Sequence, residues 1–440
     1  MITHTTPIYL ATFLAFLATS AFAQLDFERP PIDYHNRPTS NPIEDLQKKV
    51  NSGEIALKYD EQLGYLPSVM QHLGIHKNTQ TLVFSKTSLQ LRRIMPERPR
   101  ALYFNDDTYL GYVQYGDVLE VSTTDPELGA MFYTLDQDPK EKPQFVRDRG
   151  HCFQCHASNR TKGVPGHLVR SVYPNKHGQP EFGRGTYTSD HSTPFSKRFG
   201  GWYVTGKHGD MRHMGNTVLE SVKALDLDRD AGANITDLSP IVDTDPYLTN
   251  TSDMVALMVL THQTQMHNYI TLANLETLSA LNYNKVMAAA LERPADYISG
   301  STKRRIRNAA EKLVRFMLFS EEFTLQNKVS GTSGFTEDFS KRGPKDSKGR
   351  SLFQLDLDTR LLQYPCSWLV YTEFFDKLPP MAFEAVANEL YYALTYHTDN
   401  PDFAHLSKKD KQNIFEILTE TKPNLAKVWK ELQASEESAP

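Results

Sequence analysis

Two cysteines and a histidine in one short stretch are the residues best suited to chemistry in this chain. Cys152 and Cys155 are separated by two residues, and His156 follows at once. Thiols at this spacing can form thioether bonds to the two vinyl groups of a porphyrin, and the adjacent imidazole can donate a nitrogen to the iron. The motif therefore predicts one covalently bound haem c, with Cys152 and Cys155 as attachment points and His156 as the proximal iron ligand.

Closely spaced cysteines also occur in structural zinc sites and in redox dithiols. A zinc site would need further Cys or His ligands at finger-like spacing, and a thioredoxin-type dithiol is followed by a helix of a β-α-β unit. Neither pattern is evident in this sequence. At residues 152–156 the chain resembles the c-type cytochromes, and this resemblance implies that the haem is attached outside the cytoplasm.

The residues after the motif extend the resemblance. Small c-type cytochromes use a Gly-Pro-x-Leu segment, whose proline carbonyl accepts a hydrogen bond from the axial imidazole and raises its basicity. Here Val164 separates the glycine from Pro165, and the resemblance implies that the Pro165 carbonyl holds His156.

Three nearby cations are candidates for pairing with haem propionates, with a solvated basic face as the alternative for each: Arg160, Lys162 and Arg170.

The iron ligand opposite His156 is sought in residues 200–216. Single-haem electron-transfer proteins usually place methionine or histidine there. This segment holds two of each, 52 to 58 positions after His156, among glycines that let the backbone approach a ring. We rank His213 or Met214 first, then His208, then Met211. Each of them could instead be a satisfied core or surface residue.

A further histidine, His262, lies in the apolar stretch after residue 253. At helical spacing it shares a face with four apolar residues: Val255, Val259, Met266 and Ile270. It could be a buried histidine bonded to a backbone carbonyl. It could also act as an acid-base group above the haem, a catalytic role for which His208 is the other candidate.

The N-terminus predicts a cleaved signal peptide over residues 1–23. Residues 8–19 are mostly apolar, and Ala21 and Ala23 form a small-x-small cleavage site. No Lys or Arg precedes the apolar run, so a retained anchor is the alternative, although the run is short for a membrane span. We therefore predict a periplasmic or secreted protein with no stable membrane insertion after cleavage.

Charge and cysteine content exclude some functions. The 440-residue chain has a formal net charge of -5, which offers no strong basic field for nucleic acid. If Cys152 and Cys155 hold haem, Cys366 has no partner, and its apolar setting predicts a small buried side chain. A basic run at residues 303–307 could serve an acidic partner or haem propionates, or could be a solvated face.

The predicted fold is α+β and mainly α-helical. Short β-branched and aromatic runs separated by turn formers over residues 80–136 predict a small antiparallel meander. An irregular, glycine-rich haem c module follows, and then a helical region with one helix from residue 253 to about residue 281. The predicted division is a signal peptide at 1–23, a mixed region at 24–140, the haem c module at 141–250 and the helical region at 251–435.

Beyond the motif, the chain resembles large exported bacterial proteins with an embedded haem c motif, and no function attaches to that resemblance. The first hypothesis is a mono-haem c-type cytochrome-like protein that exchanges electrons with a redox partner protein or a small-molecule oxidant. The second is a haem-dependent, peroxidase-like oxidoreductase with an open or displaceable sixth ligand. The single Cys-x-x-Cys-His motif argues against di-haem peroxidases, whereas the length of the chain keeps an enzyme in view. A haem-based sensor or structural protein is the third.

Overall fold

A computed structural model of the protein describes residues 25–221, 226–396 and 400–437. The predicted signal peptide at residues 1–23 lies outside the described residues. The described chain combines a seven-stranded antiparallel sheet with a helical C-terminal region, and it is mainly helical. The predicted α+β class, with the strands first and most helices last, is therefore confirmed.

The α-helices include five long ones in the C-terminal half. Their bounds, for the described chain, are α1 (Pro42–Ser52), α2 (Leu66–Leu73), α3 (Phe153–His156), α4 (Met254–Ala290), α5 (Gly300–Met317), α6 (Phe335–Ser340), α7 (Glu373–Asp376), α8 (Pro380–Thr395), α9 (Lys408–Thr421) and α10 (Pro423–Glu437). The five long ones are α4, α5, α8, α9 and α10. Pro423 separates α9 from α10 and is the first residue of α10, where its missing N–H costs no helical bond.

The strands of the large sheet follow one another in the order β6-β5-β4-β3-β2-β1-β9. Strands β7 and β8 form a separate pair. The bounds are β1 (Thr81–Val83), β2 (Arg100–Phe104), β3 (Thr108–Tyr112), β4 (Val118–Asp125), β5 (Gly129–Asp136), β6 (Phe145–Arg147), β7 (Arg170–Val172), β8 (Thr186–Thr188) and β9 (Trp202–Tyr203).

The sheet is larger than the predicted meander. Its five central strands, β1 to β5, lie within the predicted region, and the first part of β4 alternates as a half-buried strand should: Leu119 and Val121 are buried while Glu120 and Ser122 are half-buried. Strands β6 and β9 were not predicted, because two or three residues cannot show an alternating pattern. Strand β9 follows the Cys-x-x-Cys-His motif in sequence and pairs with β1, so the irregular region after the motif returns to the sheet.

Helix α4 joins the sheet to the C-terminal helices. Asp253 caps it, accepting hydrogen bonds from the amides of Val255 (2.8 Å) and Ala256 (3.1 Å). The helix has 37 residues, and most of its first 24 are buried on every side. It ends at Ala290 rather than near residue 281, because residues 282–290 favour helix by propensity even though most of them are exposed. None of the described helices is long and apolar enough to cross a lipid bilayer.

Candidate functional site

The Cys-x-x-Cys-His motif forms a single helical turn, α3. The amides of Cys155 and His156 both donate to the Cys152 carbonyl, at 3.2 and 2.9 Å. Asp148 closes the start of this turn, since its carboxylate accepts from the amides of Gly150 (2.9 Å) and Cys152 (3.0 Å). Burial raises the pKa of Asp148, but these hydrogen bonds outweigh it and lower the pKa overall. An ionised side chain therefore fixes the turn that carries the thiols.

Phe153 anchors the turn to the rest of the protein. Its buried ring packs edge-on against Tyr34 and Phe27, with centroid distances of 4.9 and 5.3 Å. Because Phe153 points inward, Cys152 is left half-buried and Cys155 exposed. The sequence Cys-Phe-Gln-Cys-His thus places an apolar anchor and two thiols on different sides of one turn.

His156 is held by a backbone carbonyl. Its Nδ1 lies 2.9 Å from the Gly166 oxygen, and its ring packs on Phe132 at 4.7 Å between centroids. A carbonyl oxygen can only accept, so Nδ1 carries the proton and Nε2 has the free lone pair. Burial lowers the pKa of His156, which keeps the ring neutral at neutral pH. Nε2 makes no hydrogen bond within the described part of the chain, and it is the atom available to a metal.

The predicted acceptor, Pro165, is wrong by one residue. The Pro165 carbonyl accepts from the Ala130 amide of β5 at 3.1 Å, and the next carbonyl in the chain turns to His156. The additional Val164 accounts for the difference, because it lengthens the segment by one residue relative to the pattern it resembles. A backbone carbonyl of this loop does accept a hydrogen bond from His156, as the resemblance implies, but it is the carbonyl of Gly166.

Asn268 of α4 holds this loop in place. Its side-chain oxygen accepts from the His167 amide, and its side-chain nitrogen donates to the His167 carbonyl, both at 2.8 Å. The Asn268 amide also lies directly against Gly166, where a Cβ would collide with it. One buried side chain therefore satisfies both backbone groups next to the carbonyl that orients His156.

The thiols are free, and burial suppresses the acidity of one of them. None of the three cysteines forms a disulfide. Burial, reinforced by the Asp148 carboxylate, raises the pKa of Cys152 to about 12. Redox dithiols depend on a thiol pKa below its ordinary value, so this environment disfavours the dithiol alternative. Cys366 is fully buried, as its apolar setting predicts.

One face of the sheet beside the motif is only partly covered. Cross-strand pairing places Glu120 between Gly111 and Thr134, and Thr134 beside Val146, so the four residues form one row on one face. Glu120 and Thr134 are half-buried and Val146 is exposed. We call this row, residues 111, 120, 134 and 146, the open row. The Arg100 guanidinium lies directly over Gly111, where a Cβ would collide with it, so the exposed part of the row is at Val146.

The open row lies close to the motif and carries an ion pair. Arg100 contacts the Glu120 carboxylate at 2.7 Å, and both side chains are largely shielded from solvent. The negative charge of Glu120 acts on both Cys152 and His156. It adds to the raised pKa of Cys152, and it partly opposes the burial that lowers the pKa of His156. The open row, the half-buried thiol and the free imidazole nitrogen therefore belong to one region.

Exposed apolar side chains surround this region. Val146 belongs to the open row, Leu89 follows Ser88, which donates to Glu120 at 3.2 Å, and the Phe182 ring lies 5.3 Å from the Arg170 guanidinium. An apolar ring system bound beside the motif would bury such side chains. The residues present therefore fit a porphyrin: two thiols, a free imidazole nitrogen, an open row of strands and apolar surface.

Two of the three candidate propionate partners lie near the motif. Burial lowers the pKa of Arg170, the neighbouring Arg160 charge lowers it further, and Cys155 acts in the opposite sense. Lys162 instead places its ammonium 4.8 Å from the centre of the Tyr269 ring. Arg160 and Arg170 are thus the cations beside Cys155, whereas Lys162 faces helix α4.

A buried polar cluster lies behind His156, on the far side of Phe132. His167 bonds Ser122 at 3.0 Å and Thr124 at 3.2 Å, and Thr124 also contacts His267 Nδ1 at 3.2 Å. Burial lowers the pKa of His167 well below its usual value and that of His267 to about 3. Both rings are therefore neutral at ordinary pH, and they extend the polar environment inward from the motif.

The four candidates for the sixth ligand have other partners, and only His208 and His213 contact each other, with ring centroids 4.8 Å apart. His213 Nδ1 accepts from the Gly215 amide at 3.0 Å, and His208 Nε2 accepts from the Asn234 amide at 3.0 Å. Met214 is fully buried and its sulfur lies 3.7 Å from the Ser171 hydroxyl. Met211 is buried in the main core. Across the described residues, no hydrogen bond or ring contact joins 208–214 to 152–156.

His262 is also sealed away from the motif. Its Nε2 lies 2.9 Å from the Ser367 hydroxyl and its Nδ1 lies 2.9 Å from Nδ1 of His191, so its partners are side chains rather than the expected backbone carbonyl. Its ring is sandwiched between Phe316 and Phe319, nearly parallel to both. Burial lowers the pKa of His262 well below its usual value.

Three functional contacts were missed from the sequence: those made by Gly166, Asn268 and Glu120. A polar residue within the buried part of a core helix indicates that its side chain has a hydrogen-bond partner. Asn268 is such a residue. The partner itself could not be read, because it lies 101 residues away. No group of three or more His, Cys, Asp or Glu side chains comes together as a metal site in the described residues.

Comparison with known proteins finds no family model, curated protein or solved structure that matches this chain.

Proposed function

We propose that this protein is an exported mono-haem c-type electron-transfer protein. Cys152 and Cys155 attach the haem, and His156 is its proximal ligand. The observation that supports this most directly is the state of His156: its Nδ1 proton is bound by a backbone carbonyl, and its Nε2 lone pair is left beside two free thiols. A haem held there supplies an iron that takes up and releases single electrons.

Residues of this chain would orient the proximal histidine, shape the motif turn, exclude water and supply positive charge at such a site. The Gly166 carbonyl fixes the tautomer of His156 and makes it a stronger donor. Asp148 keeps the motif turn in shape, and Phe132 and Phe153 exclude water from its inner side. Arg160 and Arg170 provide positive charge near Cys155, where carboxylate groups of a ligand would be stabilised. Export through the signal peptide at residues 1–23 is part of the same proposal, since haem c is attached outside the cytoplasm.

A haem-dependent redox enzyme is the second candidate, and one observation favours it. His208, Met211, His213 and Met214 are all buried, and both histidines already accept backbone hydrogen bonds. Any of these side chains would have to give up its present contacts to reach the iron. An open sixth position would allow a peroxide or another small ligand to bind. In that case neither His208 nor His262, the predicted catalytic histidines, contacts residues 152–156 within the part of the chain that the structure describes.

Absorption spectra of the purified holoprotein distinguish the two candidates. We expect a low-spin haem whose ferric form ignores peroxide and whose ferrous form ignores carbon monoxide if a side chain from residues 208–214 completes the ligation. A high-spin ferric haem that reacts with peroxide would contradict simple electron transfer and support the enzyme. In the low-spin case, Met214→Leu and His213→Gln identify the ligand, since only the loss of the true ligand changes the spin state.

A further inference from the structure

The far end of α4 carries apolar side chains that the protein does not cover. Tyr283, Val286 and Met287 lie on one side of its last two turns, and Leu291 follows the final turn. Tyr283 and Val286 are each 59% exposed and Leu291 is 61% exposed. Earlier in the same helix nearly every residue is buried, so this change of environment is abrupt.

The exposed end is held in a fixed conformation. Asn284, one of its few buried residues, donates to the Tyr297 carbonyl at 2.7 Å and accepts from the Ser299 amide at 2.9 Å. It also accepts from the Thr302 hydroxyl at 3.1 Å. The connection to α5 is therefore tied to the helix, and the apolar side chains stay exposed because the segment folds back in this way.

Basic side chains are frequent in the same segment. Residues 281–307, which we call the α4–α5 tip, contain six basic and two acidic side chains, in a chain whose net charge is -5. Arg305 pairs with Glu276 and Arg307 with Glu311. The remaining four cations have no ion-pair partner among the described residues: Lys285, Arg293, Lys303 and Arg304. The acidic pair in this segment, Glu292 and Asp296, leaves the α4–α5 tip with a clear positive excess.

We propose that the α4–α5 tip docks peripherally on an anionic phospholipid bilayer. Exposed apolar and aromatic side chains beside unpaired cations are the pattern of segments that lie in the headgroup region of such membranes. The apolar side chains of α4 lie on one side of the helix, so they can enter the headgroup region together while the cations of the segment meet its anionic surface. Negative lipid headgroups complement its excess of cations.

This docking would leave the haem motif free. The helix advances about 1.5 Å per residue, so Val286 lies roughly 27 Å along α4 from Asn268, which holds the motif's loop. A redox partner could reach the motif while the tip rests on the membrane. The proposal does not depend on haem, since it rests on the charge and exposure of residues 281–307.

Vesicle flotation tests it, using the exported protein after its N-terminus has been determined by mass spectrometry. We expect binding to vesicles of equal parts phosphatidylcholine and phosphatidylglycerol, weak binding to phosphatidylcholine alone, and release between about 0.05 M and 0.5 M salt. Lys303→Glu/Arg304→Glu should weaken binding about tenfold or more. The matched control is Lys408→Glu/Lys409→Glu, which makes the same change of charge on the exposed start of α9 and should bind as the parent does.

Val286→Ser should also weaken vesicle binding, whereas Ile241→Ser, at another exposed apolar residue, should not. Circular dichroism and haem content report whether each variant folds as the parent does. Equal binding to neutral and anionic vesicles would overturn the proposal, as would parental binding by both tip variants. A dimer in solution that Val286→Ser dissociates, without vesicle binding, would assign the tip to self-association instead and would also overturn it.

Discussion

His156 and His262 are both histidines that the sequence marks for chemistry, but the protein treats them in opposite ways. His156 is half-buried, with one nitrogen bound to the Gly166 carbonyl and the other left to the open side of the sheet. His262 is fully buried, with both nitrogens bonded to side chains and its ring between two phenyl rings. Among the described residues the first keeps one nitrogen without a partner, and the second completes a core.

The difference between them follows from where each side chain finds its partners. A backbone carbonyl can satisfy one imidazole nitrogen and fix its tautomer while leaving the other for a metal. A histidine that packs in a core is more stable when both nitrogens are bonded, because an unpaired buried polar atom is costly. Exposure and a single partner therefore distinguish the two more clearly than residue type or spacing does.

The largest expected effect comes from removing the thiols. Cys152→Ala/Cys155→Ala should abolish covalent haem, because no other described side chain beside His156 can form the thioether bonds. Haem content after acid-acetone extraction measures this. Cys366→Ala is the matched control: it removes a thiol from the sealed region and should keep the haem. Covalent haem in the double variant would contradict the assignment of the site.

Asn268→Ala should affect both stability and the haem. It leaves the amide and carbonyl of His167 unpaired, so we expect the free energy of unfolding to fall by about 2 to 4 kcal/mol. The Gly166 carbonyl then holds His156 less firmly, which weakens the donor and raises the reduction potential by on the order of tens of millivolts.

Asn274→Ala is the control for that experiment. Asn274 donates to the Pro126 and Glu127 carbonyls from the same helix, at 3.1 Å each, and it does not touch the loop that orients His156. It should lower stability without changing the potential. Equal shifts of potential in the two variants would show that Asn268 acts only through stability.

The sealed histidines should make the protein sensitive to acid. Burial lowers the pKa of His191 from 6.5 to about 4. Between these values the unfolded chain binds a proton that the folded chain does not, so the free energy of unfolding falls as the pH is lowered, by up to about 1.4 kcal/mol per pH unit for one such group. Denaturant titrations across this pH range should show a smaller slope for His191→Asn. Ser367→Ala removes a hydrogen bond but no titrating group, so it should keep the parental slope; a parental slope in His191→Asn would refute the assignment.

The smallest expected effect is that of Arg170→Gln. Removing a cation beside Cys155 should favour the oxidised haem and lower its potential by on the order of 20 mV, because the partly exposed charge is screened by solvent. Lys162→Gln is matched in charge, but its ammonium faces Tyr269, so its potential should shift less. A larger shift for Lys162→Gln than for Arg170→Gln would reverse the assignment of the two cations.

Local patterns in the sequence predicted the elements that have a repeating character. The central strands β1 to β5 alternate or carry β-branched and aromatic runs, and α4, α5, α8, α9 and α10 show helical spacing or capping residues. Strands β6 and β9 could not be predicted because they are too short to show a period. The last turns of α4 were missed because the apolar pattern that marks a packed helix fades there.

Pairings between distant residues could not be read from the sequence. Asn268 meets His167 across 101 residues, and His262 meets His191 across 71. Spacing identified His156 and the two cysteines because their chemistry depends on neighbours in sequence. The role of His208, His213 and Met214 depends on which surfaces the fold brings together, and spacing alone carries no such information.

The most direct test of the central claim is the intact mass and haem content of the protein exported from a host that assembles haem c. The account predicts one haem that resists acid-acetone extraction and tryptic peptides in which both Cys152 and Cys155 carry the attachment. Unmodified cysteines at both positions, or a haem that extracts completely, would contradict it.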